Sequence, residues 1–181
     1  MGFFSKWFFY AIVIALGSFS MGQSLSYYSP AKDEMDRIFK LSETASHWLN
    51  VMVPLAAILG GPLSKPLIAR IGRRMSCFVL GIATLVTWIM MAASTEKTVA
   101  VLFIGRGLQG ILVGAVSGLC SMYIVEISPV EYRGAYGTIH QIFVTIGGLY
   151  TFGIGIIGNW RVFTWLCTVG TALHVILIWF V

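Results

Sequence analysis

Charged residues are scarce in this sequence. They make up 10% of its 181 residues, while 57% are hydrophobic, and a soluble domain averages about 25% charged residues. This composition excludes an ordinary soluble domain, because such a domain needs more charge on its surface. The charges are also clustered, and they are separated by six uncharged stretches, at 7–31, 44–64, 75–95, 107–125, 134–160 and 162–181.

Each uncharged stretch is long enough to cross a bilayer, which takes a helix of about 17–25 residues. Since lipid offers the backbone no hydrogen-bond partners, a segment of this kind spans the membrane as a helix. The sequence therefore predicts an all-α, multi-pass integral membrane protein, with one domain at 1–181 that is a bundle of six transmembrane helices. The predicted spans are about 7–27, 46–64, 76–94, 99–124, 135–157 and 162–181.

The distribution of charge predicts the orientation of these helices. Lys65, Arg70, Arg73 and Arg74 lie in the short connection between the second and third spans, which is typical of a cytoplasmic loop. The connection 28–45 has three basic and four acidic residues, a net charge of −1, and is predicted to be external. Both termini are then cytoplasmic, and the plasma membrane is the expected location. The overall charge of +5 follows from this topology and does not indicate a nucleic-acid partner.

The N-terminal stretch has two interpretations. Lys6 and the following WFFYAIVIALGSFSMG resemble the charged and apolar regions of a signal peptide. The uncharged run is 25 residues long, however, and it has no clean A-x-A cleavage site. These features favour a first transmembrane span.

Cysteine and histidine are also few, at three residues each. Cys77, Cys120 and Cys167 fall in three different predicted spans, which argues against a disulfide framework and favours small packing residues. The histidines are dispersed, and no nucleophile–base pair or metal-ligand spacing occurs. The sequence therefore predicts neither an enzyme nor a bound cofactor or metal.

Two helix faces carry residues that are unusual in lipid. In the fourth span Gly110, Gly114 and Gly118 recur every four residues, which predicts close packing against another helix. In the fifth span Thr138, Gln141, Thr145 and Gly148 share one face, with Gln141 about 9 Å inside the helix. An amide at that depth needs a partner, which is either a neighbouring helix or a polar solute.

The segment GRGLQGILVGAVSGLCSMYIVEISPVEYRGAYGTIHQ, at 105–141, resembles the sugar porter family of the major facilitator superfamily. That family has G-R-x-x-x-G in its fourth span, Tyr-x-x-Glu and then Arg-Gly across the next cytoplasmic connection, and Gly-Thr-x-x-Gln in its fifth span. The segment 46–74 is similar to animal facilitative hexose carriers and insect trehalose carriers. Because the family has twelve spans, the resemblance implies the N-terminal six-helix half of its fold, and the hydrophobic run at the C-terminus predicts a fragment.

The resemblance also implies roles for individual residues. Gln141, with Thr138 and Thr145 on its face, corresponds to the position that binds sugar hydroxyls in the central cavity. Carriers of this family have a cytoplasmic charge cluster that closes their inner side. The residues of this sequence that correspond to it are Glu126, Arg133, Arg73 and Arg74. The alternative for Glu126 and Arg133 is a solvated pair in a loop. The stretch ARIGRR, at 69–74, resembles the superfamily's motif in the loop between the second and third spans. The chain departs from that motif at two positions, where Ala69 replaces an acid and Lys65 replaces a glycine.

Arg106 is a cation inside the fourth span. In proton-coupled members of the family an aspartate in the first span pairs with this arginine and carries the proton, but here Ser24 stands in its place. No Asp or Glu occurs between Met1 and Lys32. We expect Arg106 to face the bundle interior and to contact Gln23, Ser24 and backbone carbonyls, because a lone cation in lipid is costly. Its role is either an intramembrane anchor with Ser24 or purely structural.

The function implied by these residues is facilitative transport (uniport) of a sugar, a hexose or a disaccharide, by alternating access. The chain is expected to act in the lipid bilayer with a C-terminal six-helix half or with another copy of itself. The alternatives are a non-transporting half-carrier that binds or regulates a full-length relative, and a proton-coupled sugar symporter.

Overall fold

The computed structural model describes residues 2–95 and 98–181, with side chains from Lys6 onward. Seven α-helices and two short 3-10 turns, at 130–132 and 178–180, make up most of this part of the chain, which has no β-strand. The helices are α1 (Gly2–Ser26), α2 (Tyr28–Phe39), α3 (Glu43–Ile71), α4 (Arg73–Ala92), α5 (Val99–Ile127), α6 (Arg133–Gly155) and α7 (Trp160–Leu177).

Each of the six predicted spans falls on a long helix, but several of these helices extend beyond the predicted bounds. The predicted loop at 65–75 is mostly helical, because α3 continues through Lys65 and Arg70. Only Gly72 separates α3 from α4, with a positive φ of 77° that suits a residue without Cβ. The basic residues of this region therefore lie on helix ends.

The sequence analysis did not predict α2. This 12-residue helix occupies most of the connection 28–45 and buries one side, consisting of Tyr28, Ala31, Met35 and Phe39. Their spacing of three and four residues is that of an amphipathic helix, whose charged residues lie on the other side. The high charge of the segment obscured this pattern.

Within the described residues, five helices are long and apolar enough to cross a membrane: α1 from Lys6 onward, α3, α4, α5, and α7 with its final turn. Although α6 is 23 residues long, it is not among them. Polar residues such as His140 and Gln141 lower its mean hydropathy. The protein is nonetheless a multi-pass integral membrane protein.

In two helix pairs, glycines let the two backbones pack in direct contact. A Cβ atom on Gly114 of α5 would lie 2.1 Å from the carbonyl oxygen of Ala57 on α3, and Gly110 is similarly close to α3. This confirms the packing role predicted for Gly110 and Gly114, whereas a Cβ on Gly118 would lie at an ordinary contact distance of 3.5 Å from Ser64 Oγ. On the other side of the bundle, a Cβ on Gly147 of α6 would lie 2.1 Å from the Phe19 carbonyl oxygen of α1. The contact with α1 fixes the rotation of α6 and thereby decides which of its faces is exposed.

Candidate functional site

The polar face of α6 is exposed on the surface of the bundle. Thr138, Gln141 and Thr145 all have exposed side chains. The threonine hydroxyls donate to carbonyls of their own helix, Thr138 to Ala135 O at 2.7 Å and Thr145 to Gln141 O at 3.0 Å. Their oxygens can still accept hydrogen bonds from outside, and the Gln141 amide can both donate and accept.

An open groove of about 360 Å³ runs between α1 and α6. Thr145 lies on its wall, while Gln141 and Thr138 lie nearer the start of α6. The lining combines a few polar groups with apolar ones, which is typical of small-molecule sites. Its residues are Gly22, Leu25, Ser26, Val144, Thr145, Gly148, Leu149 and Phe152.

The four residues of the predicted charge cluster are only partly brought together. Arg73 donates from Nη2 to Glu126 Oε1 at 2.5 Å, and its Nε lies close to Glu126 Oε2, so that the pair is bidentate. This pair ties the start of α4 to the end of α5. Both side chains remain partly exposed, at 46% and 36%.

The other two members of the predicted cluster have different surroundings. Arg74 donates to the carbonyl oxygen of Trp179, and its guanidinium lies 5.6 Å from the centre of the Trp179 ring. It therefore caps the C-terminal end of the last helix, where a cation is favourable. Arg133 is exposed at the start of α6, and the ion pairs of the described residues do not include it.

Arg106 lies inside the bundle and is 1% exposed. Its Nη1 donates to the Ser24 carbonyl oxygen at 3.0 Å and to Gln109 Oε1 at 2.8 Å, and its Cζ lies 5.4 Å from the centre of the Tyr27 ring. Gln109, one helical turn from Arg106, and Tyr27, three residues after Ser24, were not predicted as partners. Their spacing is the signal that could have identified them.

The contacts of Arg106 differ in detail from the expected ones. Ser24 contributes its backbone carbonyl, whereas its hydroxyl donates to Ser20 O at 2.9 Å. Gln23 is completely buried, but its amide approaches Gly170 of α7 and has no hydrogen-bond partner among the described residues. The rotation of α1 directs these adjacent residues toward different neighbours.

Sequence reasoning also missed a set of buried polar contacts between α1 and the last two helices. Ser18 Oγ lies 2.7 Å from His140 Nδ1, and Ser20 Oγ lies 2.6 Å from Thr171 Oγ1. His174 Nδ1 lies 3.2 Å from the Val13 carbonyl oxygen. For the two contacts with α7, the signal is a polar stripe on that helix at spacings of four and three, consisting of Thr164, Thr168, Thr171 and His174.

The family model described as "Sugar (and other) transporter" matches residues 3–181. The facilitated trehalose transporter Tret1 of Culex quinquefasciatus is 32% identical over 169 residues, which are 91% of this chain and 32% of that relative. The facilitated trehalose transporter Tret1-1 of Drosophila sechellia is 34% identical over 169 residues, which are 91% of this chain and 19% of that relative. The sugar transporter ERD6-like 6 of Arabidopsis thaliana is 28% identical over 151 residues, 83% and 31% of the two chains.

Solved structures of the xylose transporter XylE from E. coli share the fold. A partially occluded inward-open form has a TM-score of 0.86 and 23% identity, covering 98% of this chain and 48% of that one. The form bound to 6-bromo-6-deoxy-D-glucose, described as a proton:xylose symporter, has a TM-score of 0.87, 22% identity and coverages of 98% and 45%. The predicted all-α fold, half of a major facilitator, is confirmed. The chain spans about a third or less of the length of the relatives named above.

Proposed function

Because this chain belongs to the sugar transporter family, we propose that it supplies the N-terminal half of a facilitative sugar carrier. The family is part of the major facilitator superfamily, as the sequence resemblance predicted. The proposed carrier works by alternating access, in which one half of the fold rocks against the other around a site between them. The other half is a C-terminal six-helix bundle or a second copy of this chain. The relatives are transporters, and the chain is not an enzyme.

The exposure of Gln141 is the observation that carries the proposal for the substrate. A glutamine on a membrane helix is costly unless it has a partner, and α6 leaves this one exposed although α1 packs against the same helix. The two threonines on the same face add acceptors, and sugar hydroxyls can both donate and accept. The exposed face supports a sugar site over a structural pair within this half.

The substrate is proposed to be a neutral sugar, a hexose or a disaccharide. Two of the relatives are named as trehalose transporters, and trehalose is a disaccharide. The polar groups assigned to the site, Gln141, Thr138 and Thr145, are all uncharged, which suits a substrate that carries hydroxyls and no charge.

Transport is proposed to be uniport. Ser24 and the other residues of α1 offer Arg106 no carboxylate, since Met1 to Lys32 contains no Asp or Glu. A carrier of this kind lacks the titratable pair through which sugar movement is coupled to protons in the proton-coupled members. Proton-coupled symport remains the alternative that the experiment below distinguishes.

The inner side of the carrier is proposed to close through Arg73 and Glu126. This pair links two helices at one end of the bundle, and its partial exposure gives it a small free energy. Such a pair can break and re-form during a rocking motion. Arg74 and Arg133 are proposed to join it only in another conformation, because Arg74 here donates to Trp179 and Arg133 is exposed outside the pair.

The test is sugar flux into liposomes. The purified chain alone should show no saturable flux, while co-expression with a matching C-terminal half should restore flux that equilibrates and does not concentrate the sugar. Sugar-driven proton uptake would contradict uniport and favour symport. Absence of flux in a properly assembled complex would favour the non-transporting half-carrier, and saturable flux by the chain alone would favour two copies.

A further inference from the structure

Arg106 uses only part of its hydrogen-bonding capacity on the protein. While Nη1 has two acceptors, Nε and Nη2 are buried and have no partner among the described residues. Together these two nitrogens form an edge of the guanidinium that binds an anion through two parallel N–H donors. The side chain is 1% exposed, so bulk water does not reach this edge.

The charge of Arg106 has no counter-ion in the described part of the chain. The residues that the structure describes place no carboxylate within 4.0 Å of the guanidinium. The ring of Tyr27 attracts the cation only weakly. Burying an ion without an opposite charge carries a large cost, so the site requires negative charge as well as an acceptor.

The side chain that accepts from Arg106 has an unpaired donor of its own. Gln109 uses its only side-chain oxygen to accept from Arg106, and its Nε2 is buried without a partner in the described part of the chain. The indole Nε1 of Trp88 is also buried without a partner among the described residues, and the Trp88 ring contacts the Tyr27 ring, which in turn lies beside the guanidinium. A surplus of N–H donors beside a cation favours an anionic ligand and disfavours a metal ion.

We propose that Arg106 and Gln109 form a binding site for a small monovalent anion, with chloride as the representative, held at Nε and Nη2 of the guanidinium. The burial of the site between α1 and α5 favours a monatomic ion over a larger anion. The ligand supplies the charge that a first-span aspartate would supply, but it does not take up a proton near neutral pH. The proposal goes beyond sugar transport and does not depend on it.

The first experiment measures the thermal unfolding of the purified 181-residue chain in detergent, in sodium chloride, sodium bromide or sodium gluconate at one ionic strength. We expect the melting temperature to rise with chloride and bromide and to saturate, whereas gluconate, which is too large for the site, has no such effect. Crystals grown with sodium bromide should show an anomalous peak beside Nε and Nη2 of Arg106.

Three variants separate this site from general salt effects. Arg106→Gln removes the donors, and its melting temperature should no longer depend on chloride. Ser24→Asp adds a carboxylate on the residue whose backbone carbonyl accepts from Arg106. If this carboxylate turns toward the guanidinium, the variant should lose the chloride dependence and become as stable in gluconate as the parent is in chloride. Arg70→Gln removes an exposed arginine and should respond to chloride as the parent does.

The results that overturn the proposal are also specific. Equal melting temperatures in chloride and gluconate, with no bromide peak at Arg106, would mean that ordered water fills the edge. Unchanged chloride dependence in Ser24→Asp would place the effect at another site. If Arg106→Gln does not fold, the bromide peak and the Ser24→Asp variant still decide the question.

Discussion

Gln141 and Arg106 are both polar residues of long membrane helices, but they have opposite environments. Gln141 is exposed and Arg106 is 1% exposed. Periodicity predicted the shared face of Gln141, and the cost of a lone cation predicted the interior position of Arg106. The partners of Arg106 were only partly predictable, because the rotation of α1 is set by its contacts with α6 and α7.

Replacing Gln141 should affect sugar binding more than folding. A neutral hydrogen bond contributes about 0.5–1.5 kcal/mol, so Gln141→Ala should weaken sugar affinity about 2- to 13-fold in a carrier assembled with a C-terminal half. Equilibrium sugar binding measures this effect. Ile142→Ala, at the exposed neighbouring position, is the control and should bind sugar as the parent does. Loss of protein with unchanged affinity per molecule would instead show that Gln141 is structural.

At the scale of helices, the sequence predicted where the six long helices lie but not where they end. The predicted loop 65–75 was placed by its charges, yet α3 continues to Ile71 and is stopped by Gly72. Of the four residues predicted to form a charge cluster, only Arg73 and Glu126 contact each other. The sequence does not show which side chains at neighbouring helix ends point toward each other. Glycine spacing, by contrast, predicted a packing face correctly, since small residues at four-residue intervals lie on one side of a helix.

Enlarging Gly114 should destabilise the bundle. A Cβ there would meet the Ala57 carbonyl of α3 at 2.1 Å, whereas a Cβ on Gly153 of α6 would meet nothing within 4 Å. We expect Gly114→Ala to lower the free energy of unfolding by about 1–3 kcal/mol. The matched Gly153→Ala should be neutral or raise it by up to about 1 kcal/mol. Unfolding with SDS in mixed micelles measures both, and equal effects would contradict the close approach of α3 and α5.

Breaking the ion pair between Arg73 and Glu126 should change the ratio of outward- to inward-facing carrier more measurably than it changes the free energy of unfolding. For an exposed pair worth about 0.2–1 kcal/mol, Glu126→Gln should shift the ratio of outward- to inward-facing carrier by up to about fivefold. The rate at which a cysteine on the inner side reacts with maleimide reports this ratio in an assembled carrier. The double exchange Arg73→Glu with Glu126→Arg should reverse part of the shift, and a larger shift in the double variant would show that the two residues are not coupled.

At the scale of the whole molecule, the bundle has polar groups in two separate places, the exposed groove between α1 and α6 and the buried surroundings of Arg106. The groove lies on the outside of this bundle, where a second half is proposed to meet it. Arg106 and the contacts of α7 lie within this half and need no second half to be covered. The sequence indicated the family and the six long helices, but it did not indicate α2, and the separation of the exposed groove from the buried arginine depends on tertiary packing.

Labelling from outside the cell should reveal the orientation. The basic residues at the end of α3 and the start of α4 predict a cytoplasmic position, while α2 is predicted to be external. Lys32→Cys should react with a membrane-impermeant maleimide and Arg70→Cys should not, and both side chains are exposed. Permeabilised cells provide the control, since both positions should then react. Reaction of Arg70→Cys in intact cells would reverse the predicted topology.

The bonds between α1 and the last helices have a consequence for synthesis. Ser18 and its partner His140 are 122 residues apart in sequence, and Ser20 and Thr171 are 151 apart. At about 5–20 residues per second, the ribosome needs roughly 6–24 s to make the first of these separations. During that interval α1 has been made, but the partners of Ser18 and Ser20 on α6 and α7 have not. These bonds therefore form only after α6 and α7 have been synthesised, so the final position of α1 is set late in the assembly of the bundle.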